Sequence, residues 1–236
     1  MATLNKELMT IVLKASAKDL KITIEDLKKF VEKYEKPEQP VKTIEYWDKE
    51  KTKIRCEQWT LNNGFHRTDG PAYIKYHENG KLEYEYYFIN NKLNNCIKYH
   101  ENGNIETEHY HENNKLHRED GPAEIRYYEN GTIQCESYFI NGKLHREDDE
   151  PAEISYYENG KIMYEHYYIN DVLHRKDKPS IIKYYQNSLV KFECYYENGK
   201  IHRKDKPSWI KYNKDGKITN EIYFDNGKQL KEINYF

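Results

Sequence analysis

The stretch LHREDGPAEIRYYENG, from Leu116 to Gly131, decides the fold of this chain, because variants of it return along most of the sequence. A histidine, an arginine and two acids precede a glycine and a proline, and a tyrosine-rich segment follows and ends in Asn-Gly. A histidine beside an acid can act in general acid–base catalysis. Aspartate and proline before an extended segment are typical of a turn between strands. The rest of the sequence must decide between a reactive site and a joint in a repeated structure.

Composition excludes several classes of protein. The 236 residues have a mean hydropathy of −1.12 and include 24 tyrosines, so aliphatic residues are too sparse for an ordinary two-layer core. Tyrosine suits a half-buried strand surface, because its ring is apolar and its hydroxyl can reach water. A net charge of −2 gives no argument for nucleic acid.

Targeting and redox signals favour a cytoplasmic protein, in the host cytoplasm if the source is viral. The apolar runs are only a few residues long, which predicts neither a membrane span nor a signal peptide. The four cysteines have no CxxC spacing and are interpreted as reduced thiols.

A repeat emerges when each Asn-Gly-type turn is placed at a common origin. The spacings between origins are 23, 28, 29, 28 and 28 residues, and the origins are Gly80, Gly103, Gly131, Gly160, Ser188 and Gly216. In all six units an isoleucine lies six residues before the origin and a first tyrosine four before it. A glutamate lies five after it, a second tyrosine seven after it and an asparagine ten after it. A seventh, eroded unit begins at Ile44 and Tyr46, with Trp59 in the place of the second tyrosine.

Each unit predicts a strand, a turn, a strand, a second turn and a short strand. Asn-Gly between alternating segments predicts hairpins with type I′ turns. The His-Arg-x-Asp-x-Pro segment predicts a connection, because proline removes a donor from the strand ladder. The unit with the 23-residue spacing has Asn94 and Asn95 in place of His-Arg and lacks this connection, so the connection is removable. The fold class is therefore mainly β, an elongated single antiparallel sheet of tandem hairpins over residues 41–236.

Residues 1–40 have a different pattern and predict a short α-helical N-terminal cap. Leu4, Leu8 and Val12 form one helical stripe, and Thr23 with Asp26 resembles a capping box at the start of a second helix. Repeat arrays need atypical ends, so we expect the helices to cover the edge of the first hairpin. A separate docking or dimerisation segment is the alternative.

The segments YEYYFINNK (84–92), YEHYYINDV (164–172) and SYFINGKLHRED (137–148) resemble the MORN repeat. The HREDGPA and YYENG spellings are similar to the variant MORN repeats of bacteria and large DNA viruses, from about Thr43 to Phe236. The resemblance implies a single elongated β-sheet that serves as a platform for protein and sometimes lipid contacts. It also implies no enzymatic activity, since in MORN-containing enzymes a separate domain carries the chemistry. Some bacterial relatives are antitoxins.

Pairing across the turns places the isoleucine, both tyrosines and the glutamate on one side of the sheet, the ladder face. The histidine of His-Arg should pair with the second tyrosine and lie diagonally from the glutamate. We interpret this group as a hydrogen-bonded structural ladder, because a catalytic site is seldom built several times along one sheet. The predicted ladder residues are Glu85, Glu108, Glu136, Glu165, Glu193, Glu221, Tyr138, Tyr167, Tyr195, His145, His174 and His202.

The opposite side, the variable face, keeps aromatic character while its residues change from unit to unit. Lysine and arginine lie among the aromatic side chains, as at Arg126 and Lys183. Such a surface can bind protein, RNA or acidic headgroups. Interleaved acids disfavour nucleic acid. The structural alternative is that this face packs within a curved sheet or under the N-terminal helices. The candidate partner-binding residues are Tyr128, Phe139, Tyr157, Tyr164, Tyr168, Tyr185, Phe192 and Tyr196.

No metal site or cofactor is expected. His109 and His111 lie two apart on a predicted strand and could reach one ion, but no third ligand is close in the pattern. The leading hypothesis is a non-enzymatic scaffold that binds another protein through the variable face. The alternatives are an antitoxin or immunity protein that occludes a toxin enzyme, and an adaptor for anionic lipid or a membrane surface; self-association is a further option.

Overall fold

The structure is a computed structural model that describes residues 39–235. All regular elements in this range are β-strands. The predicted N-terminal helices lie in residues outside the described range.

The second half of each hairpin unit is short wherever a connection follows it. The strands, in chain order, are β1 (Val41–Tyr46), β2 (Ile54–Leu61), β3 (Gly64–Phe65), β4 (Tyr73–Tyr76), β5 (Leu82–Ile89), β6 (Lys92–Tyr99), β7 (Ile105–Glu112), β8 (Lys115–Leu116), β9 (Glu124–Tyr127), β10 (Ile133–Ser137), β11 (Phe139–Ile140), β12 (Lys143–Leu144), β13 (Glu153–Tyr156), β14 (Ile162–His166), β15 (Tyr168–Ile169), β16 (Val172–Leu173), β17 (Ile181–Tyr184), β18 (Val190–Cys194), β19 (Tyr196–Glu197), β20 (Lys200–Ile201), β21 (Trp209–Tyr212), β22 (Ile218–Asp225) and β23 (Lys228–Asn234).

The strands form one long antiparallel meander. The main sheet has 17 strands, of which β3 and β8 are short extensions paired with β2 and β7. The others pair in the order β1-β2-β4-β5-β6-β7-β9-β10-β13-β14-β17-β18-β21-β22-β23. Three two-stranded hairpins, β11-β12, β15-β16 and β19-β20, continue three of the five units that are followed by a connection. The predicted single antiparallel sheet of hairpins is confirmed.

The two turns of a unit differ in type. At the second turn both residues are left-handed, as at Asn141 and Gly142 with φ of 54° and 81°, which fits the predicted type I′ turn. At the first turn only the residue at the origin is left-handed: Gly80 has φ 84° and donates its N–H to the carbonyl of His77 at 2.9 Å. The register shifts by one residue beside this turn, between Lys75 and Tyr76. The type I′ prediction is therefore wrong for the first turn, which is a three-residue loop accompanied by a β-bulge.

Each connection ends in a small residue that is completely buried. Ala72, Ala123, Ala152, Ser180 and Ser208 all have 0% exposure. The backbone of Ala152 joins two units, because its N–H donates to the His166 carbonyl at 2.9 Å and its carbonyl accepts from the Tyr138 N–H at 2.8 Å. The residue after proline thus locks the connection between neighbouring units, and there is little room for a larger side chain.

Replacing Ala152 by valine should destabilise the protein by about 1–3 kcal/mol, because added methyl groups overpack a closed site. Ala152→Ser is the matched control and should cost much less, since Ser180 fills the same place and donates its hydroxyl to the Tyr196 carbonyl at 3.0 Å. Urea unfolding of both variants measures the difference. Equal stability of the valine variant and the wild type would contradict a closed site.

Candidate interaction surfaces

The ladder face is held by bonds between a carboxylate and two tyrosines. Glu165 lies opposite Ile154 of its own unit and opposite Ile182 of the next. Its Oε2 accepts a hydrogen bond from the hydroxyl of Tyr184 at 2.8 Å and a longer one from Tyr167 at 3.5 Å. One carboxylate therefore ties together the tyrosines of two successive units.

The bond to the following unit is repeated along the whole described sheet. The seven donor–acceptor pairs are Tyr76–Glu57 (3.4 Å), Tyr99–Glu85 (2.7 Å), Tyr127–Glu108 (2.7 Å), Tyr156–Glu136 (2.7 Å), Tyr184–Glu165 (2.8 Å), Tyr212–Glu193 (3.2 Å) and Tyr235–Glu221 (2.8 Å). The last pair was not foreseen: Ile233 and Tyr235 on and beside β23 take the places of a further unit. The Ile-x-Tyr pattern 23 residues after Ile210 was the available signal.

These hydroxyls are kept protonated by their surroundings. Burial, followed by the charge of Glu165, raises the pKa of Tyr167 to about 12. Burial and then Glu193 raise the pKa of Tyr212 to about 12. The pKa values of Tyr156 and Tyr184 are raised further by burial and by the hydrogen bond that each donates to a glutamate. A tyrosine that must donate to a carboxylate holds its proton tightly, which is a structural role.

The histidine of each connection contacts the next unit. The His145 N–H donates to the Tyr138 carbonyl at 3.0 Å, which agrees with the predicted pairing. The ring, however, does not bond to Glu136: Nδ1 accepts from the N–H of Asn170, at the second turn of the following unit, at 3.3 Å. His66, His117, His174 and His202 bond in the same way, to Asn90, Asn141, Asn198 and Asn226. The histidine is thus a link between units rather than the third member of a Glu-Tyr-His group.

The arginine that follows this histidine was not singled out in the sequence analysis. It contacts both the second tyrosine of its unit and the proline of the connection. The guanidinium of Arg146 lies 3.8 Å from the centroid of the Tyr138 ring, and its Nη1 donates to the Pro151 carbonyl at 3.2 Å. The same stacking recurs for Arg67 on Trp59 (4.0 Å), Arg118 on Tyr110 (4.2 Å), Arg175 on Tyr167 (3.6 Å) and Arg203 on Tyr195 (3.8 Å). The signal was the recurrence of His-Arg before every proline connection. The opening motif is a joint whose polar groups are used internally.

The variable face carries rings in contact across several strands. Tyr164 lies 5.5 Å from His166 and 6.4 Å from Phe192, measured between ring centroids. His166 is 6.2 Å from Tyr168, and Phe192 is 6.4 Å from Trp209. All five are partly exposed. We call these residues the central aromatic cluster; sequence reasoning included three of them and missed His166 and Trp209, which lie on the same side of their strands at period two.

Cations accompany these rings. Lys183 lies directly opposite Tyr164 in the sheet, with its Nζ 4.3 Å from the centre of the ring and bonded to the hydroxyl. Lys75 and Lys98 flank Tyr84 in the same way, at 5.7 and 6.0 Å. Lys75 and Lys98 form ion pairs with Glu83 and Glu106, at 2.8 and 2.6 Å, so the variable face combines aromatic surface with largely paired charges.

The other predicted partner-binding residues contribute to contacts within the sheet. The hydroxyls of Tyr128, Tyr157 and Tyr185 donate to the carbonyls of Tyr156, Tyr184 and Tyr212 in the next unit, at 2.7, 2.8 and 2.9 Å. Phe139 and Tyr196 lie opposite Leu144 and Ile201 in the short hairpins. The three tyrosine hydroxyls therefore link successive units, whereas Phe139 and Tyr196 pair within their own hairpins.

The two candidate metal ligands lie on the same strand, β7. The rings of His109 and His111 are 6.2 Å apart at their centroids and nearly perpendicular. Hydrogen bonds to Cys96 and Glu124 raise the pKa of His109 to about 9, whereas burial lowers the pKa of His111. In residues 39–235 no group of three or more histidine, cysteine or acidic side chains is placed to hold a metal ion.

Comparison with known proteins identifies the repeat. The family model described as "MORN repeat variant" matches residues 72–90, 123–141, 152–170 and 190–205. Residues 72–205 therefore contain four repeats of this family. Such repeats form scaffolds that commonly bind proteins or membranes, and the family is generally non-enzymatic. Within the described range no helix has the length and apolarity needed to cross a bilayer.

Solved and curated proteins add little to this. A structure titled "Crystal Structure of TcdB2-TccC3-Cdc42" aligns with 83% of this chain and 13% of that chain, at 10% identity and a TM-score of 0.17. This chain thus spans a small part of the length of that one, and so low a TM-score carries no argument. No curated protein matches.

Replacing Glu165 by alanine should lower the free energy of unfolding by about 1–3 kcal/mol, because two half-buried tyrosine hydroxyls lose their acceptor. Glu158→Ala removes the same charge from the exposed first turn of the same unit and should change stability by less than about 0.5 kcal/mol. Urea melts of both variants test this. Similar losses from the two would show that the carboxylate contributes only its charge.

Raising the pH above about 10 should also destabilise the protein. The pKa of Tyr167 and of Tyr212 is about 12 in the folded protein, against an ordinary value of 10. Between pH values of about 10 and 12, the folded state therefore binds more protons than the unfolded chain. The stability that these two tyrosines contribute is fully present below about pH 10 and is lost as the pH rises toward about 12. Denaturation at a series of pH values measures the slope. The Tyr167→Phe/Tyr212→Phe variant should show a shallower fall, and an unchanged slope would contradict the assignment.

Proposed function

We propose that this protein is a non-enzymatic scaffold that binds another protein through its variable face. The observation that carries the proposal is the central aromatic cluster of Tyr164, His166, Tyr168, Phe192 and Trp209, whose rings touch across neighbouring strands and are partly exposed. Tyrosine, tryptophan and phenylalanine are enriched in protein interfaces, and tyrosine and tryptophan are enriched among the residues that dominate the binding energy.

The contrast between the two faces supports the choice of side. On the ladder face the carboxylates, hydroxyls and guanidinium groups bond to one another and to neighbouring units. The extensive contacts between elements of the described sheet are those between neighbouring strands, so no second layer of strands covers the cluster. A partner that spans several units would meet rings whose identity differs from unit to unit, which favours recognition of one irregular surface.

Replacing Tyr164 and Tyr168 together by serine should weaken binding of the partner protein by about 2–4 kcal/mol, if these rings are hot spots. The partner is first captured from source-cell extract with the wild-type protein and identified by mass spectrometry. Calorimetry with the purified partner then compares the variants.

The matched control is the ladder-face double variant Tyr156→Ser/Tyr167→Ser. It should lower the melting temperature more than the variable-face variant does, because Tyr156 donates to Glu136 at 2.7 Å and Tyr167 is only 6% exposed. Its binding, measured below its melting temperature, should stay close to that of the wild type. Loss of binding from the ladder-face variant alone would assign the interface to the other side of the sheet.

A further inference from the structure

The connection HRKDKPS occurs twice in identical form, at residues 174–180 and 202–208. The two copies have the same local geometry. Arg175 stacks on Tyr167 at 3.6 Å and donates to the Pro179 carbonyl at 3.2 Å; the corresponding distances for Arg203 are 3.8 and 3.3 Å. The chain thus presents one structural motif in two different neighbourhoods.

The first copy binds a carboxylate. Asp149, in the connection of the preceding unit, accepts from Nε of Arg175 at 2.5 Å and from its Nη2 at 3.2 Å, and also bonds to Nζ of Lys178. This is the two-point fork that arginine makes with a carboxylate, completed by an ammonium group. The hydrogen bonds of Arg175 and then Lys178 lower the pKa of Asp149 to about 2. The motif is therefore built to hold an acidic side chain.

The second copy has no such partner. The connection before it is the first copy itself, which is lysine-rich where residues 147–150 read Glu-Asp-Asp-Glu. In residues 39–235 no carboxylate forms an ion pair with Arg203, Lys204 or Lys206. The other four arginines of this type each have one: Arg67 with Asp69, Arg118 with Asp120, Arg146 with Glu150, and Arg175 with Asp149.

The cavity beside the second copy is correspondingly basic. It has a volume of about 540 Å³ and is lined by Arg203, Lys204, Lys206 and Lys231 with Tyr223 and Phe224, against the acids Asp205 and Asp225. The equivalent cavity three units earlier has the same volume, and its lining includes Glu119, Asp120 and Glu147. The net charge of the lining residues thus differs in sign between the two cavities.

We propose that the second copy is a docking site for an aspartate or glutamate on an acidic loop of a partner protein. Arg203 binds the carboxylate in two hydrogen bonds and Lys206 supplies a third, as Arg175 and Lys178 do for Asp149. This rests on the proposed function, since it gives the chemistry of part of the same partner. A single carboxylate is favoured over a polyanion because Asp205 and Asp225 line the same cavity.

The first experiment uses the acidic connection of this chain as its probe. A capped peptide with residues 147–153, EDDEPAE, is titrated into the full-length protein at low salt and followed by NMR. Lys206→Gln should weaken binding about tenfold, the loss expected for one charge-assisted hydrogen bond. Lys204→Gln removes the same charge two residues away and should change affinity little, because Lys176 of the first copy has no ion pair within residues 39–235.

Two further variants separate geometry from charge. Arg203→Lys keeps the charge but loses the fork, so it should also weaken binding about tenfold. A peptide with Asn at the position of Asp149 should bind more weakly than EDDEPAE. Lys206 is exposed, so its variant should fold normally, and a thermal melt checks this. Equal effects of Lys204→Gln and Lys206→Gln would show unspecific attraction and overturn the proposal.

The outcome is independent of the variable face. The Tyr164→Ser/Tyr168→Ser protein should bind the peptide like the wild type, so failure of either proposal can be recognised without the other. Vesicles of phosphatidylserine and phosphatidylcholine form the second arm. Flotation of the wild type that Arg203→Lys abolishes, without peptide binding, would identify a lipid site and overturn the acidic-loop assignment. Self-association that disappears on neutralising residues 147–150 would overturn it in favour of a second copy.

Discussion

The hydrogen bond from the first tyrosine of each unit to the glutamate of the unit before it is the contact on which the sheet depends. A single layer of strands cannot bury much apolar area, and the buried residues of the described chain are mostly alanine, serine, cysteine and a few isoleucines and tyrosines. Each hydrogen bond contributes only about 0.5–1.5 kcal/mol, but the same bond recurs at every junction between units. Stability is therefore distributed along the array, as expected for a structure in which each unit contacts only its neighbours.

The connections add a second set of links at one edge of the array. The histidine reaches the following turn, the arginine covers the second tyrosine, and the small residue after proline joins two backbones. Where the connection is missing, β5 pairs with β6 from Tyr84 to Ile89, and β22 pairs with β23 from Asn220 to Asp225. The connection therefore diverts the end of a unit out of the main sheet and replaces strand pairing with side-chain links.

The residues that differ from unit to unit lie at positions that take no part in these links. On the variable face, the position four residues after the origin holds Tyr84, Thr107, Cys135, Tyr164, Phe192 and Asn220 in successive units. In the connections, the residues between arginine and proline change from Glu-Asp-Gly to Lys-Asp-Lys while arginine and proline stay. The rings of the central aromatic cluster and Lys206 lie at such positions, where side chains can be chosen for recognition without weakening the array, whereas Arg203 also keeps its stacking on Tyr195.

The sequence by itself determined the repeat, the order of the strands and the face on which each column lies. These follow from local rules: side chains alternate with period two along a strand, and left-handed Asn-Gly turns return the chain to its neighbour. The pairing of Ile154 with Glu165 is a direct consequence. The tertiary structure decided the bulge at the first turn, the partner of His145 and the stacking of Arg146. It also decided that Asp149 neutralises Arg175 while Arg203 has no such partner within residues 39–235. The contacts of His145 and Arg175 join residues of different units, and the stacking of Arg146 joins the two ends of one unit. All of them depend on the path of the chain through the connection, which no local pattern encodes.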